Sequence, residues 1–185
     1  TMSKYVDWTE RTSCVLFGDG AGAVVLTAGT DEEGVLSYDL GADGSGGKHL
    51  SIPSLKFSPE DLERRGGEEK RTFWMDGSEV FKFAVRIMAD STKKVLEKAG
   101  FTAEDVDMVV PHQANIRIID GAVKRLKIDS SKVYVNVSRT GNMSSASIPV
   151  AFCEAVKNGA IKKGDKIVMV GFGGGLTWGS VLIQM

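Results

Sequence analysis

The chain has 185 residues, of which 42% are apolar and 25% are charged, a composition typical of a globular domain with a buried core. Its formal net charge of −1 excludes a global field that would attract nucleic acid or an anionic membrane. No apolar run approaches the roughly 20 residues of a membrane helix, and the polar segment 1–12 does not resemble a signal peptide.

The first 72 residues contain short strand-like segments separated by glycines. Segment 14–28, CVLFGDGAGAVVLTA, predicts a hairpin because apolar runs flank its glycines. Segment 34–44 predicts a strand that runs into a glycine loop, and the polar segment 45–72, with Pro53 and Pro59, predicts an irregular excursion. No helix follows GDGAGA, and GADGSGGK departs from the phosphate-loop pattern, so hydrolysis of nucleoside triphosphates is excluded.

From residue 77 onwards, predicted helices and strands alternate. Apolar stripes at helical spacing predict helices at 77–100, 115–127 and 144–158. Short apolar runs predict strands at 106–110, 133–137, 166–171 and 177–184. This alternation implies right-handed crossovers and a largely parallel sheet, while the short connection before the last strand implies an antiparallel hairpin. The predicted fold class is therefore α/β with a mixed sheet.

Polar groups follow three of these strands, where each strand ends. His112 comes after strand 106–110, Asn142 lies in the loop after strand 133–137, and the GFGGG loop follows strand 166–171. Because the carboxyl ends of parallel strands share one edge of a sheet, we expect these groups to converge. An imidazole, an amide and glycine N–H groups all donate hydrogen bonds, which suits a developing oxyanion at a thioester or enolate.

Each of these features also has a purely structural interpretation. His112 alone is typical of a structural loop histidine, Asn142 after Gly141 is typical of a turn, and GFGGG alone is typical of a hairpin connection. Their shared placement on one edge favours a site. Neither His112 nor His49 has partners at metal-ligand spacing, so no metal site is predicted.

The helix at 115–127 is predicted to begin at a cap formed by Asn115 and to bury one apolar face. That face is predicted to consist of Ile116, Ile119, Val123 and Leu126. Three basic side chains lie elsewhere on the helix, namely Arg117, Lys124 and Arg125. They are either an ordinary solvated face or a local basic patch that suits an acidic partner.

Four segments together resemble one known family. CVLFGDGAGAVVL, PHQANIRII, GNMSSASIP and GFGGGLTWGS are similar, in this order, to β-ketoacyl-[acyl-carrier-protein] synthase III of the thiolase-like superfamily. The resemblance runs from about Trp8 to the end of the chain, and GFGGG rather than GFGPG favours the bacterial or plastid synthase III branch. It implies a thiolase-like fold in which residues 1–30 are the last two strands of an N-terminal half. Residues 31–185 would form the C-terminal half, with a mixed five-stranded sheet and flanking helices.

The resemblance also implies an acyltransferase of fatty acid biosynthesis, active as a homodimer in the cytoplasm. Such an enzyme condenses acyl-CoA, acetyl-CoA in the simplest case, with malonyl-acyl carrier protein as carbon dioxide leaves. It needs no cofactor beyond the CoA thioester substrate. The family uses Cys, His and Asn, and His112 and Asn142 match the last two. Phe172 matches the aromatic residue beside the decarboxylation site, and the Gly174 N–H matches one arm of the oxyanion hole.

Two further sets of residues match binding positions of the family. The pantetheine tunnel is matched by Gly41, Gly44, Ala114 and Asn115. The surface that docks the acidic carrier protein is matched by Arg117, Lys124 and Arg125.

The cysteines depart from the family pattern. Its nucleophile lies at a helix N-terminus in the first half, whereas Cys14 is expected to begin a strand and Cys153 to lie inside a helix. Both are expected to be inert packing residues, and isolated cysteines fit a reducing cytoplasm. We therefore expect a C-terminal fragment that lacks its N-terminal half and cannot condense alone. The alternatives are a residual CoA or carrier-protein binding module, a folded but functionless half that self-associates, and a related thiolase-superfamily condensing enzyme.

Overall fold

The computed structural model describes residues 1–29, 33–52 and 56–185. The α-helices are α1 (Arg11–Cys14), α2 (Pro59–Arg64), α3 (Gly77–Lys98), α4 (Ile116–Leu126), α5 (Val137–Thr140) and α6 (Ser147–Lys157). The strands are β1 (Gly34–Ala42), β2 (Leu50–Ser51), β3 (Trp74–Met75), β4 (Met108–Pro111), β5 (Lys166–Gly173) and β6 (Thr177–Gln184). Short 3-10 turns occur at Gly44–His49, Ala103–Asp105, Ser130–Lys132, Ser144–Ala146 and Gly174–Leu176.

The main sheet has the strand order β1-β6-β5-β4. Strands β4 and β5 are parallel, while β6 runs antiparallel to both of its neighbours, β5 and β1. The turn between β5 and β6 includes Gly175 at φ +74, a backbone conformation that glycine adopts without steric cost. The predicted α/β class and the antiparallel hairpin at the end of the chain are thus confirmed.

Helices cover both faces of this sheet. Successive strand residues point to opposite sides, and both sides carry apolar side chains that must be buried. On one face, α3 and α4 pack on a core cluster that includes Val109, Val168 and Val170. On the other face, α6 packs on a second cluster that includes Val110 and Ile167. Burying each such side chain contributes on the order of 1.5–3 kcal/mol, so the core fixes the strand register and with it the carboxyl edge of the sheet.

The long helix α3 has clear start and stop signals. The Asp76 carboxylate accepts a hydrogen bond from the N–H of Glu79 at 3.2 Å and caps its first turn. The chain leaves the helix through Gly100, whose φ of +76 requires the freedom of glycine, as the sequence predicts. No helix among the described residues is long and apolar enough to span a bilayer.

The predicted hairpin at 14–28 is wrong for this structure. Cys14 ends helix α1, and residues 18–29 form no helix or strand. Val25 and Leu26 are each 89% exposed. The only ladder contact of this segment that the described chain provides is a parallel bridge from Phe17 to Asn142. A two-stranded hairpin without a packed face is marginal in water, so strand propensity alone does not form it. The expected domain boundary at residues 30 and 31 lies outside the described residues.

The fifth strand expected at 133–137 is reduced to one bridge between Val133 and Val109. The reason is the Gln113 side chain, whose Oε1 accepts the backbone N–H groups of Asn136 at 2.9 Å and Val137 at 3.1 Å. These bonds replace a strand ladder, and the chain turns into helix α5 at Val137. The sheet is therefore four-stranded among the described residues.

A smaller expectation, about segment 45–72, also needs correction. The segment expected to be irregular, 45–72, contains helix α2 with a Ser58–Asp61 capping box, while Pro53 lies outside the described residues. Strand β2 pairs with β3.

On α4, the buried positions are Ile118, Ile119, Ala122 and Leu126. Successive helix residues are about 100° apart, so Ile116 and Val123 lie roughly 90–110° around the helix from the centre of this buried stripe. The predicted apolar face is therefore wrong at Ile116, which is 46% exposed.

Candidate active site

The loop that carries His112 is fixed at both of its ends. The His112 N–H donates to the Val170 carbonyl at 2.7 Å and so continues the pairing of β4 with β5. Three residues later, the Asn115 side chain accepts a hydrogen bond from the Arg117 N–H at 2.8 Å and caps helix α4. The predicted Asn115 cap is thus confirmed. The imidazole is placed by a strand end and a helix start that are both anchored.

The His112 side chain lies in a dry environment. It is 9% exposed, and its ring makes a T-shaped contact with the ring of Phe172 at a centroid distance of 5.4 Å and an interplanar angle of 73°. Nδ1 lies 2.5 Å from Oγ of Ser147, which is fully buried. Desolvation by this burial lowers the pKa of His112 to about 4. At neutral pH the ring is therefore uncharged and carries one N–H.

Asn142 reaches the same region through contacts with the start of the chain. Its N–H donates to the Leu16 carbonyl at 2.8 Å, and its carbonyl accepts from the Gly18 N–H at 3.0 Å. The side-chain Oδ1 accepts from the Ser144 N–H at 2.9 Å. Because Oδ1 is engaged, the Nδ2 amide is the group that Asn142 can offer to a ligand.

The glycine-rich segment 18–23 has a packing role. A Cβ at Gly18 would collide with the Thr140 carbonyl, and one at Gly20 would lie 2.5 Å from Sδ of Met143. A Cβ at Gly22 would lie 2.5 Å from Pro149. The segment thus lies directly against the loop of Asn142, and glycine is required because larger residues would push that loop away.

A single cavity of about 1380 Å³ joins these groups. Its lining includes the four residues predicted to be catalytic, His112, Asn142, Phe172 and Gly174. Ala114, Asn115 and Arg117 line the same space. The structure therefore brings the imidazole and the carboxamide to one cavity, as the shared sheet edge predicts. Among the residues described, no group of three or more His, Cys, Asp or Glu side chains could hold a metal ion.

Gly41 and Gly44 do not line this cavity. Gly41 lies under the ring of Trp178, its cross-strand partner, where any Cβ would collide with that ring. Trp178 does line the cavity, so Gly41 affects the cavity indirectly, by leaving room for the Trp178 ring. Gly44 is exposed, with open space where its Cβ would lie.

The Trp178 indole is also held by a buried carboxylate. Its Nε1 donates to Asp39 at 3.3 Å, and Lys94 pairs with the other carboxylate oxygen at 2.6 Å. Burial acts to raise the pKa of Asp39, but hydrogen bonds from Lys94, Ser91 and Trp178 outweigh it and lower the pKa below its ordinary value. Asp39 therefore stays ionised and anchors this wall of the cavity.

Two predicted docking residues lie outside the cavity. Lys124 and Arg125 are exposed on α4, and Nε of Arg125 lies 3.3 Å from the Asp90 carboxylate. Arg117 occupies the same helix, and it alone of the three lines the cavity.

The cysteines also lie away from the cavity lining. Cys14 is partly buried, but Cys153 is exposed, so the expectation that Cys153 is a packing residue is wrong. Its position on α6 points away from the stripe of Ala151 and Ala155 that contacts the sheet.

Sequence reasoning missed the two residues that organise the site, Gln113 and Ser147. Besides the two N–H groups that it accepts, Gln113 donates through Nε2 to the carbonyls of Pro111 at 2.9 Å and Tyr134 at 3.0 Å. A glutamine beside a candidate histidine, within the motif PHQAN, was the available signal for the first. Ser147 gave little signal, because serines at a helix start usually indicate caps.

Two segments of the chain match models of known protein families. Residues 96–185 match the family model described as 3-oxoacyl-[acyl-carrier-protein] synthase III C terminal, and residues 1–44 match that of 3-oxoacyl-[acyl-carrier-protein] synthase III. The chain belongs to the synthase III family.

Relatives agree with this assignment over the whole chain. The β-ketoacyl-[acyl-carrier-protein] synthase III of Desulfitobacterium hafniense is 53% identical over 184 residues, covering 100% of this chain and 56% of the relative. That of Clostridioides difficile is 52% identical over 188 residues, with the same coverage. The crystal structure of the Aquifex aeolicus synthase III is 44% identical with a TM-score of 0.89, covering 100% of this chain and 55% of that one.

The synthase III relationship confirms the thiolase-like fold expected from the four motifs. The crystal structure of the Pseudomonas aeruginosa synthase III gives a TM-score of 0.88 at 40% identity, and it too is covered to 55% by a full match of this chain. The chain thus spans little more than half the length of the relatives that it matches.

Proposed function

We propose that the chain carries the carbonyl-activating part of a β-ketoacyl-[acyl-carrier-protein] synthase III site. The whole protein would condense acyl-CoA with malonyl-acyl carrier protein to begin a fatty acid. The observation that supports this most directly is that His112 and Asn142 line one cavity as two uncharged hydrogen-bond donors, beside Phe172.

The proposed chemistry needs donors rather than a base. In the malonyl thioester, the bond between the α-carbon and the carboxylate breaks, and carbon dioxide leaves. The electron pair moves into the thioester carbonyl and forms an enolate oxygen, to which His112 and Asn142 donate. The enolate carbon then attacks an acyl thioester, and its thiolate leaves. Each well-placed oxyanion donor is worth about 100- to 1000-fold in rate.

The surroundings of the donors favour loss of carbon dioxide. Phe172 presents an aromatic ring to His112, and the nearby cavity wall includes Ile148 and the glycines of β5. An ionised carboxylate is poorly solvated among such groups, whereas carbon dioxide is neutral. The apolar wall therefore raises the energy of the bound malonyl carboxylate relative to its product.

The remaining lining supports a long thioester substrate. The lining of the cavity also includes the apolar side chains of Leu50, Phe73 and Phe81. Arg117 adds a cation to the lining. Its volume of about 1380 Å³ exceeds the ~300–1000 Å³ of ordinary ligand pockets, which suits an extended arm such as pantetheine.

Neither cysteine lines the cavity, so no thiol of this chain is available there as an acyl acceptor. We therefore propose that the 185-residue chain binds a malonyl thioester but does not complete acyl transfer. Condensation turnover by this chain alone would contradict that part of the proposal.

Isothermal titration calorimetry with malonyl-CoA tests the binding step. We expect Asn142→Ala to weaken binding about tenfold, the value of one lost hydrogen bond, and His112→Ala to weaken it at least as much. The matched control is Asn158→Ala, which removes an exposed amide at the end of α6. Equal affinities for Asn142→Ala and Asn158→Ala, or no binding by the wild-type chain, would refute the proposed role.

The basic residues of α4 extend the proposal to the carrier protein. Arg117 and Lys124 lie on the solvent side of the helix, and Arg117 also reaches the cavity. An acidic carrier protein seated on this face would deliver its thioester arm beside Arg117.

A further inference from the structure

The contact between His112 and Ser147 is one that the proposed chemistry does not by itself require. Nδ1 and Oγ are 2.5 Å apart, and both side chains are buried. An uncharged imidazole carries a single proton, which resides on either Nδ1 or Nε2. Since Ser147 occupies Nδ1, only Nε2 is left to meet a molecule in the cavity. The partner of Nδ1 therefore decides whether the cavity meets an N–H donor or a bare nitrogen.

The direction of this hydrogen bond follows from the other neighbour of Ser147. The Gln113 backbone N–H points to Oγ of Ser147 at 3.3 Å, and a backbone N–H can only donate. Oγ therefore accepts from Gln113 and has its own proton to place. Within the described ranges, Ser147 has no other side-chain hydrogen-bond partner than these two groups.

The opposite arrangement leaves a polar group unsatisfied. If Nδ1 carried the proton and donated to Oγ, the serine oxygen would accept twice and its hydroxyl hydrogen would have no acceptor. Leaving a buried donor unpaired is unfavourable. It would also present Nε2 to the cavity as an acceptor, which repels a carbonyl oxygen.

We propose that Ser147 is a positioning residue: it accepts the Gln113 N–H, donates its hydroxyl proton to Nδ1 of His112, and so keeps the imidazole proton on Nε2. Its catalytic meaning rests on the proposed function, in which Nε2–H donates to the enolate oxygen. The protonation site itself is measured without substrate, so the two proposals fail separately.

The experiment uses the 185-residue chain labelled with ¹⁵N-histidine. Long-range ¹H–¹⁵N correlation at neutral pH distinguishes a protonated ring nitrogen from a bare one. Only two histidines contribute signals, His49 and His112, so assignment needs one variant. We expect His112 to show bare Nδ1 and protonated Nε2. A wild-type spectrum with protonated Nδ1 overturns the proposal outright, whatever the variants do.

Ser147→Ala then tests the cause. Removing the hydroxyl takes away the donor to Nδ1, and we expect the protonated-Nε2 signature to be lost or mixed with the Nδ1–H form. Ser145→Ala, an exposed serine of the same motif, is expected to leave the signature unchanged. His49, whose Nδ1 lies 3.4 Å from Asp76, is the internal reference that should not move. An unchanged His112 spectrum in folded Ser147→Ala would overturn the role of Ser147.

Ser147→Thr retains a hydroxyl and is expected to restore the wild-type signature if it folds. Comparison with malonyl-CoA calorimetry separates the two proposals. The expected spectrum without malonyl-CoA binding would refute only the proposed function, and Nδ1 protonation with binding intact would refute only the role of Ser147.

Discussion

The two loops that supply the donors are built in different ways. The loop of His112 belongs to one strand–helix unit, with a hydrogen bond to β5 before it and the Asn115 cap after it. The loop of Asn142 is held from outside, by backbone bonds to Leu16 and Gly18 at the far end of the sequence. One donor is thus positioned by local structure, and the other depends on a long-range contact.

Gln113 joins the two regions, and breaking it should have the largest effect. Gln113→Leu leaves two backbone N–H groups and two carbonyls of the buried network without their partner. At about 1–3 kcal/mol for each unpaired buried group, with partial relaxation, we expect a loss of roughly 3–5 kcal/mol in the free energy of unfolding. Urea denaturation measures this loss.

The control for that experiment is Gln184→Leu. In the part of the chain that the structure describes, the Gln184 side chain makes one hydrogen bond, to the Gly164 carbonyl in an exposed setting, so its loss should cost less than about 1 kcal/mol. Similar losses for both variants would mean that Gln113 does not hold the loops together.

The pH dependence of stability tests the dry setting of His112. Its pKa is lowered from 6.5 to about 4, so the unfolded chain binds a proton more readily between these values. The neutral, buried His112 therefore contributes about 3 kcal/mol to the free energy of unfolding. This contribution is complete above pH 6.5 and is lost as the pH falls towards 4. The wild type should therefore lose more unfolding free energy than His112→Gln between pH 7 and pH 4.5.

The acidic side chains of the unfolded chain also begin to bind protons as the pH falls towards 4.5, so the difference between the variants tests the role of His112. His49→Gln should lose stability in parallel with the wild type. Parallel curves for the wild type and His112→Gln would show that the imidazole is not desolvated.

Gly18→Val separates the two loops. A side chain at this position collides with the Thr140 carbonyl and displaces the Asn142 loop, while the His112 unit is untouched. Overpacking of this kind costs about 1–3 kcal/mol. We expect malonyl-CoA affinity to fall as in Asn142→Ala, with the His112 imidazole spectrum retained.

Gly44→Val is the matched control, because its Cβ would meet open space and its φ is not positive. Loss of the His112 signature in Gly18→Val would show that the placement of the His112 ring also depends on the contact between Gly18 and the Asn142 loop.

The smallest expected effect concerns the basic face of α4. Lys124→Glu should slow association with malonyl-acyl carrier protein by a few-fold at low salt, because rim charges act mainly on the association rate. Malonyl-CoA binding should not change. Lys162→Glu reverses an exposed charge just before β5, at the opposite edge of the sheet. It should change neither the association rate with malonyl-acyl carrier protein nor malonyl-CoA binding. Equal effects of both reversals would indicate a general charge effect without a docking face.

The same contrast explains what the sequence could predict. His112 and its cap at Asn115 follow from local signals, a strand that stops at a proline and an amide before a helix. The placement of Asn142 depends on Gly18, more than a hundred residues away, and no local pattern specifies that contact. The glycines that looked like a hairpin turn are small because the Asn142 loop lies against them.

The strand predicted at 133–137 does not form, for a related reason. Its sequence VYVNV has strand propensity, but the buried side chain of Gln113 takes the hydrogen bonds that a neighbouring strand would use. Propensity describes the segment alone, whereas its final structure is decided by a partner from another loop. Ser147 was missed because its significance arises only once the imidazole is beside it.

The ion pair of Lys94 with Asp39 connects an exposed side chain to Trp178, which lines the cavity. Lys94 is 57% exposed on α3, yet through Asp39 it bears on an indole that forms part of the cavity wall. Replacing this lysine would loosen the indole without altering any group that meets the ligand. The shape of the cavity at this wall can thus be adjusted by substitutions on the exposed side of α3, at a position that does not line the cavity.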